Sequence, residues 1–175
     1  MQFKIFKFES VTSTNDVAID LIRSNKEETG CVFADLQTRG RGTKGKIWIS
    51  EMGNLFISIF FPLKENYPPF NEFFMINPVI ISEVIEKFCH KKKVSFKWPN
   101  DVYVEGKKIC GILQEVITCG KRKFLIIGIG INIVSNPNLK SNYEATNIFA
   151  ETKKKPTTQK MINLLIASYE NFFYD

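Results

Sequence analysis

Residues Gln37 to Phe61 read QTRGRGTKGKIWISEMGNLFISIFF, a loop rich in glycine and basic residues that turns at Gly53-Asn54 into the uninterrupted apolar run Leu55 to Phe61. Upstream, Cys31 to Leu36 is a second apolar run that ends on Gln37. Both runs have strand length and strand composition, so the loop stands at the ends of sheet strands. Gly40, Gly42 and Gly45 let a ligand approach the main chain, and Arg39, Arg41, Lys44 and Lys46 bring positive charge. The combination suits a phosphate or a carboxylate.

Gly40-Arg41-Gly42-Thr43-Lys44-Gly45 also fits GxGxxG, the spacing of dinucleotide-binding folds and of the kinase glycine loop. The dinucleotide version opens an amphipathic helix whose N-terminus holds a pyrophosphate. Here Lys46 to Gly53 lacks helical period and ends in a turn. A protein kinase needs a His-Arg-Asp catalytic loop, whereas the single histidine sits in Cys89-His90-Lys91. Disordered RG-type nucleic-acid segments are long and repetitive, and this one is short and bracketed by strands. It reads as an ordered anion-binding loop.

With 175 residues, 44% hydrophobic and 24% charged, the chain is expected to form one domain spanning 1–175 with a full core. The balance of 24 Lys and Arg against 18 Asp and Glu gives +6, which suits an acidic partner or a phosphorylated substrate as well as nucleic acid. Cys31, Cys89, Cys110 and Cys119 lie far apart without a CxxC, so neither a zinc site nor a disulfide framework is indicated. The N-terminus lacks the apolar core of a signal peptide, and no apolar run reaches the roughly 18 residues of a membrane span. A cytoplasmic location and no membrane association follow.

Along the chain, Phe3 to Phe8 alternates as a half-buried strand, and Thr12 to Asp16 supplies cap residues ahead of Val17, Ala18, Leu21 and Ile22 at helical spacing. Ser13, Thr14 and Asn15 cap that helix, face a ligand, or do both. Asn77-Pro78 resembles a cap with proline at the first helical position, followed by Ile81, Val84, Ile85 and Phe88. Lys91 to Lys93 and Lys153 to Lys155 read as solvated faces. Val94 to Trp98, Val102 to Val104, Ile109 to Glu115 and Phe124 to Ile127 read as further strands, with turns at Glu105-Gly106 and Cys119-Gly120. Gly111 in mid-strand implies a bulge or a group packed on the backbone. A loop through Asn136-Pro137 and Tyr143 to Thr146 leads to a last helix after Pro156-Thr157, with Met161, Leu164, Leu165 and Ser168 inward.

Three glycine-bearing strand ends, several amides and the lysine-carboxylate grouping of Lys97, Asn100 and Asp101 describe a site for an anion with a polar head. With one histidine and no CxxC, HExxH or GxSxG, zinc hydrolysis and a serine-histidine triad are excluded. Electrostatic stabilisation by Lys and Arg acting with a metal nucleotide remains.

At these residues the sequence resembles the biotin protein ligase family. The resemblance is carried by Ser13-Thr14-Asn15, Gln37 with Gly40-Arg41-Gly42 and Gly45 through Trp48, Gly53-Asn54-Leu55, Lys97-Trp98-Pro99-Asn100-Asp101, Lys108, Gly111-Ile112-Leu113 with Glu115, Gly128 to Asn132, and Ala145-Thr146. It implies an α+β fold, a mixed β-sheet flanked by helices, related to the class II aminoacyl-tRNA synthetase core. The implied reaction joins biotin and MgATP into biotinyl-5′-AMP, and a lysine of a biotin carboxyl carrier domain then takes the biotinyl group. By the same resemblance Ser13, Thr14, Asn15, Gln37 and Gly40 bind biotin, with Gly111 and Leu113 lining its slot. Arg41 and Lys108 hold the reacting carboxylate and α-phosphate as the catalytic pair. Lys97, Asn100 and Asp101 serve ATP, Asp101 the Mg²⁺, Trp48 the adenine side and Asn132 the adenine edge.

Three departures stand out. Thr43 occupies a position that the family usually makes basic, the chain starts at the catalytic domain without a helix-turn-helix, and it ends where relatives often continue into a small β-barrel. A ligase without specific DNA binding is the expectation, and a homodimer is left open. A lipoate ligase or octanoyl transferase of the same fold is the alternative, and a nucleic-acid-binding domain using the RGRG loop is a third.

Overall fold

Seven strands, β1 (Ile5–Val11), β2 (Gly30–Gln37), β3 (Leu55–Pro62), β4 (Val94–Lys97), β5 (Asp101–Val104), β6 (Lys107–Cys119) and β7 (Arg122–Ile131), form one sheet in the order β1-β2-β3-β7-β6-β5-β4. The helices are α1 (Thr14–Arg23), α2 (Phe73–Glu86), α3 (Ile148–Thr152) and α4 (Thr158–Phe172). This computed structural model describes residues 1–137 and 143–174, so the middle of the loop expected after Pro137 and the last residue lie outside the described residues. β1 and β2 run parallel, joined through α1, and every other pairing is antiparallel, which makes the sheet mixed. Helices pack on both faces of this largely antiparallel sheet, α2 and α4 on one and α1 on the other.

The apolar run of β3 is unbroken because both of its faces are covered. Leu55, Ile57, Ile59 and Phe61 join α2 and α4 residues in the main core, while Phe60 joins Ala18 and Ile22 of α1 in a second cluster. β7 divides in the same way, with Leu125, Ile127, Ile129 and Ile131 on the first side and Phe124 and Ile126 on the second. Continuing along that second side, the residues are Gly128 and Gly130. The apolar filling therefore stops where the functional site begins.

Two expectations shift. The first strand begins at Ile5 rather than Phe3, and Phe3 is buried in the main core. The second helix starts at Phe73, so Asn77-Pro78 lies inside it and not at its cap. Phe73 is fully buried, and the Asn77 amide is taken up by the Tyr169 hydroxyl, which donates to Asn77 Oδ1 at 2.9 Å. Tertiary burial thus extends the helix a turn upstream of the local signal. Helix α3 was not anticipated. Its cap is the Asn147 side chain, which accepts from Ala150 N at 2.7 Å.

Other local readings hold. Glu105 and Gly106 both have positive φ, 50° and 76°, as a two-residue hairpin turn between β5 and β6 demands. Both lysine runs are exposed, and only one of these six lysines carries a recorded ion pair, Lys92 to Glu151 at 3.6 Å. All four cysteines are free thiols, and burial pushes Cys31 up to about 12 and Cys89 up to about 11, which keeps both protonated and unreactive at neutral pH. Thr157 caps α4, its hydroxyl accepting from Lys160 N at 3.3 Å. Thr157→Ala is expected to cost about 1 kcal/mol of stability, read as a lowered urea midpoint with unchanged slope.

Candidate active site

The floor of the site is a stretch of two paired strands in which three positions are glycine. Gly111 of β6 faces Gly130 of β7, and Leu113 faces Gly128 in the same register. A Cβ on Gly130 would lie 2.5 Å from the Trp48 indole, one on Gly111 2.6 Å from it, and one on Gly128 2.4 Å from Asn15 Oδ1. These glycines are present because other groups press on the bare backbone. Of the two readings of Gly111 the packed group holds, because the extra residue of β6 opposite Val102 and Tyr103 is Ile109, while Gly111 pairs regularly with Asp101.

One end of this slot is a cluster of hydroxyls and amides at the start of α1. Ser13, Thr14 and Asn15 are all buried, yet Ser13, at the N-cap, makes no side-chain capping bond. All three line the slot. Thr14 N and Oγ1 lie 2.9 and 3.1 Å from Gln37 Oε1, and Gln37 Nε2 donates to Ser50 Oγ at 2.9 Å. Ser58, fully buried in β3, bonds Asn15 and, at 2.7 Å, Thr14. Asn15 Nδ2 donates to Glu115 Oε2 at 2.7 Å. Gly40 lies beside this cluster, its carbonyl accepting from Trp48 N at 2.9 Å, which folds the loop back on itself.

Arg41, expected beside the carboxylate and α-phosphate, lines the slot with its guanidinium engaged by two carboxylates. Its guanidinium grips both oxygens of Glu115, at 2.8 and 2.7 Å, and Asp16 Oδ1 at 2.7 Å. Hydrogen bonding by Glu115 raises the guanidinium above its ordinary value despite the opposing effect of burial. Glu115 lies at the far end of the β6 face from Lys108, so Arg41 braces the polar end and Lys108 stands without it at the other. A loop whose arginine is spent on two carboxylates is also poorly suited to a phosphate backbone.

Lys108 is fixed by the main chain on both sides, its N–H donating to Glu144 O and its carbonyl accepting from Thr146 N, each at 2.8 Å. Its ammonium pairs with Asp101 Oδ1 at 2.7 Å and lies 4.8 Å from the Tyr143 ring centroid and 5.7 Å from that of Trp48. Asn100 Nδ2 donates to Ile112 O at 3.1 Å and to Thr43 Oγ1 at 3.3 Å. Lys97 is exposed and does not line the slot. Asn132 is buried, donates to Thr146 O at 3.0 Å, and lines a small adjoining cavity. Ile47, Trp48, Lys108 and Tyr143 line both that cavity and the main slot of about 80 Å³, so the two adjoin along these residues.

Among the described residues no three His, Cys, Asp or Glu side chains gather as a cation site. Asp101 is a single carboxylate, and one or two suffice for Mg²⁺ that arrives on a nucleotide's phosphates. Sequence reasoning placed the glycines, the amides, Lys108 and Asp101. It gave no site role to Ser50, Ser58 or Tyr143, read Asp16 only as a cap residue and Glu115 only as part of the family resemblance. Glu115 alone carried a signal, as a carboxylate in register with Gly111 and Leu113.

Fold and site define a mixed-sheet domain for a ligand that is polar at one end and anionic at the other. The chain belongs to the Biotin/lipoate A/B protein ligase family, whose profile matches residues 7–132. It is 34% identical over 125 residues to the bifunctional ligase/repressor BirA of Escherichia coli, covering 70% of this chain and 38% of that protein. It is 32% identical over 149 residues to the human biotin--protein ligase, covering 78% and 20%. The chain thus spans about two fifths or less of these curated relatives. The biotin protein ligase of Leishmania major in complex with biotin superposes with a TM-score of 0.77 at 31% identity, over 94% of this chain and 72% of that one. That of Aquifex aeolicus in complex with biotin and ATP gives 0.79 at 28% identity, over 96% and 69%.

Proposed function

We propose that this chain activates biotin with MgATP as biotinyl-5′-AMP and passes the biotinyl group to a lysine of a biotin carboxyl carrier domain. The observation that carries the reading is the polarity of the slot. Hydroxyls and amides close one end, and a fixed lysine stands at the other. From Lys108 to Leu113, less the bulged residue, β6 advances roughly 13 Å, room for a polar ring on an acid-bearing chain. Biotin fits that description, with its ureido ring among Ser13, Thr14, Asn15 and Gln37 over Gly111 and Leu113.

In the first step a biotin carboxylate oxygen attacks the α-phosphorus, the bond to the bridging oxygen breaks, and pyrophosphate leaves with the Mg²⁺ that came with ATP. Lys108 offsets the negative charge that grows on the phosphate oxygens. Asp101 and Asn100 stand beside it for the metal nucleotide, and Asn132 and Trp48 border the cavity on the adenine side. In the second step the carrier's lysine amine attacks the anhydride carbonyl, an amide forms, and AMP departs. Location in the cytoplasm accords with this, and no helix among the described residues is long and apolar enough to cross a membrane.

Pyrophosphate exchange with ATP and biotin, lipoate or octanoate in turn tests the reading. Exchange with biotin alone is the expected result, and exchange with lipoate or octanoate alone would replace it, since those acids offer nothing to the polar cluster. Thr43, whose hydroxyl is engaged by Asn100, leaves Arg41 and Lys46 as the loop cations that line the slot, whereas Lys44 does not line it. Thr43→Arg is therefore expected to slow release of biotinyl-adenylate about ten-fold, measured by chase of labelled adenylate. Equal release rates would show that Lys46 and the backbone already hold the anhydride.

A further inference from the structure

The two lysine runs, far apart in the chain, meet at one corner of the molecule. Lys92 Nζ lies 3.6 Å from Glu151 Oε2 of α3, and Lys160 Nζ, on the first turn of α4, lies 5.8 Å from the ring centroid of Phe88, just past α2. Lys91 to Lys93, Lys153 to Lys155 and Lys160 are all exposed. Two carboxylates stand among them, and both are engaged. Glu151 takes Lys92 and the Thr146 hydroxyl, and Glu105 accepts the Lys93 N–H at 2.6 Å.

Two of these lysines stand where glycine would fit more easily. Lys91 has φ 67°, and Lys153, the C-cap of α3, has φ 58°. A left-handed backbone disfavours any side chain, and glycine is the usual residue where a helix ends this way. The chain accepts that strain and sets a charge at the head of each run.

The corner leads to the slot by two routes. Glu151 joins Lys92 to Thr146, whose N–H bonds the Lys108 carbonyl at 2.8 Å. β4 begins next to Lys93, pairs with β5 alone among the described residues, and leads to Asn100 on the slot wall. Along that open edge Phe96 and Trp98 are 39% and 67% exposed, and exposed aromatic rings are the side chains that anchor protein partners. A standard interface covers roughly 800 Å² on each partner, enough to reach from the mouth of the slot to the lysines.

We propose that the lysine corner and the open edge of β4 form the docking surface for the carrier protein, and that the carrier meets them with an acidic face. This rests on the biotin reading. A protein whose lysine enters the slot must lie against the ground beside it, where positive charge is in excess. Only a face with carboxylates around the entering lysine is drawn to that ground and not repelled.

The test uses the full chain with biotin, MgATP and a purified biotin carboxyl carrier domain of net negative charge. Carrier biotinylation and pyrophosphate exchange are followed side by side across a salt series. In wild type, kcat/KM for the carrier is expected to fall about ten-fold from low to high salt while exchange stays level. Lys91→Gly with Lys153→Gly removes two charges and both strained backbones, so the urea midpoint should hold or rise while KM for the carrier rises about five-fold. Lys93→Glu, Lys154→Glu and Lys155→Glu combined should raise that KM about 100-fold at low salt and converge on wild type at high salt. An unchanged carrier KM in both variants overturns the proposal and leaves the lysines as charges that guard an open sheet edge. Equal losses of exchange and transfer overturn it as well, because docking acts only on the second step. Binding of a single-stranded oligonucleotide that the charge reversal abolishes, with transfer to the carrier intact, assigns the corner to nucleic acid instead. If wild type does not exchange pyrophosphate with biotin, the biotin reading falls and this assignment with it, whereas normal exchange beside salt-insensitive transfer removes this assignment alone.

Discussion

Lys108→Ala is expected to slow biotinyl-adenylate formation by about 10²- to 10³-fold, the size of losing one preorganised donor to developing charge, or roughly 3 to 4 kcal/mol. Biotin affinity should fall by less than about ten-fold, because the polar end of the slot is built without this residue. The lysine arrives preorganised. Backbone bonds on both sides fix its Cα, two aromatic rings flank its ammonium, and its side chain is only 13% exposed. Asp101 holds it at 2.7 Å, so an incoming phosphate competes for a cation that is already in place. Pyrophosphate exchange reads the chemical step and calorimetry reads biotin. Equal losses in the two would remove Lys108 from the chemistry.

What the sequence made legible, and what it hid, follows the range of the interactions involved. Strands β2 and β3 were readable because apolar runs and a glycine turn are local signals, and the two hairpins because positive-φ turns need particular residues at particular places. The site glycines Gly111, Gly128 and Gly130 were readable for another reason, since a glycine inside a strand signals a group packed on the backbone. The start of α2 was hidden because Asn77-Pro78 is a strong local signal overruled by burial of Phe73 and by a bond from Tyr169, 92 residues away. Ser58 looked like one small residue in an apolar run, and nothing short of the sheet register shows that it faces α1. Arg41 is the instructive case. Its charge suggested an anion, but Asp16 and Glu115 already neutralise it, and those partners lie 25 and 74 residues away along the chain.

Gly128→Ala should weaken biotin binding by about 100-fold while the protein still folds. The new Cβ would lie 2.4 Å from Asn15 Oδ1, too close for any carbon contact, and 3.1 Å from its Cγ, which is tight. Asn15 has little room to retreat, because its amide is tied to Glu115, Leu113 O and Ser58, and its backbone opens α1. The overlap is instead relieved by tilting the first turn of the helix, which carries Ser13 and Thr14 away from the place proposed for the ureido ring. Overpacking of this kind costs about 1 to 3 kcal/mol of stability, visible as a lowered urea midpoint. Gly111→Ala is the control. Its Cβ would meet the Trp48 indole at 2.6 Å, but Trp48 stands on the loop and not on a helix, so it can slide off the floor with a smaller loss of biotin affinity. Calorimetry on both variants separates the two cases. Wild-type affinity in Gly128→Ala would mean that the asparagine gives way freely, and that the polar end of the slot is not the rigid receptor described above.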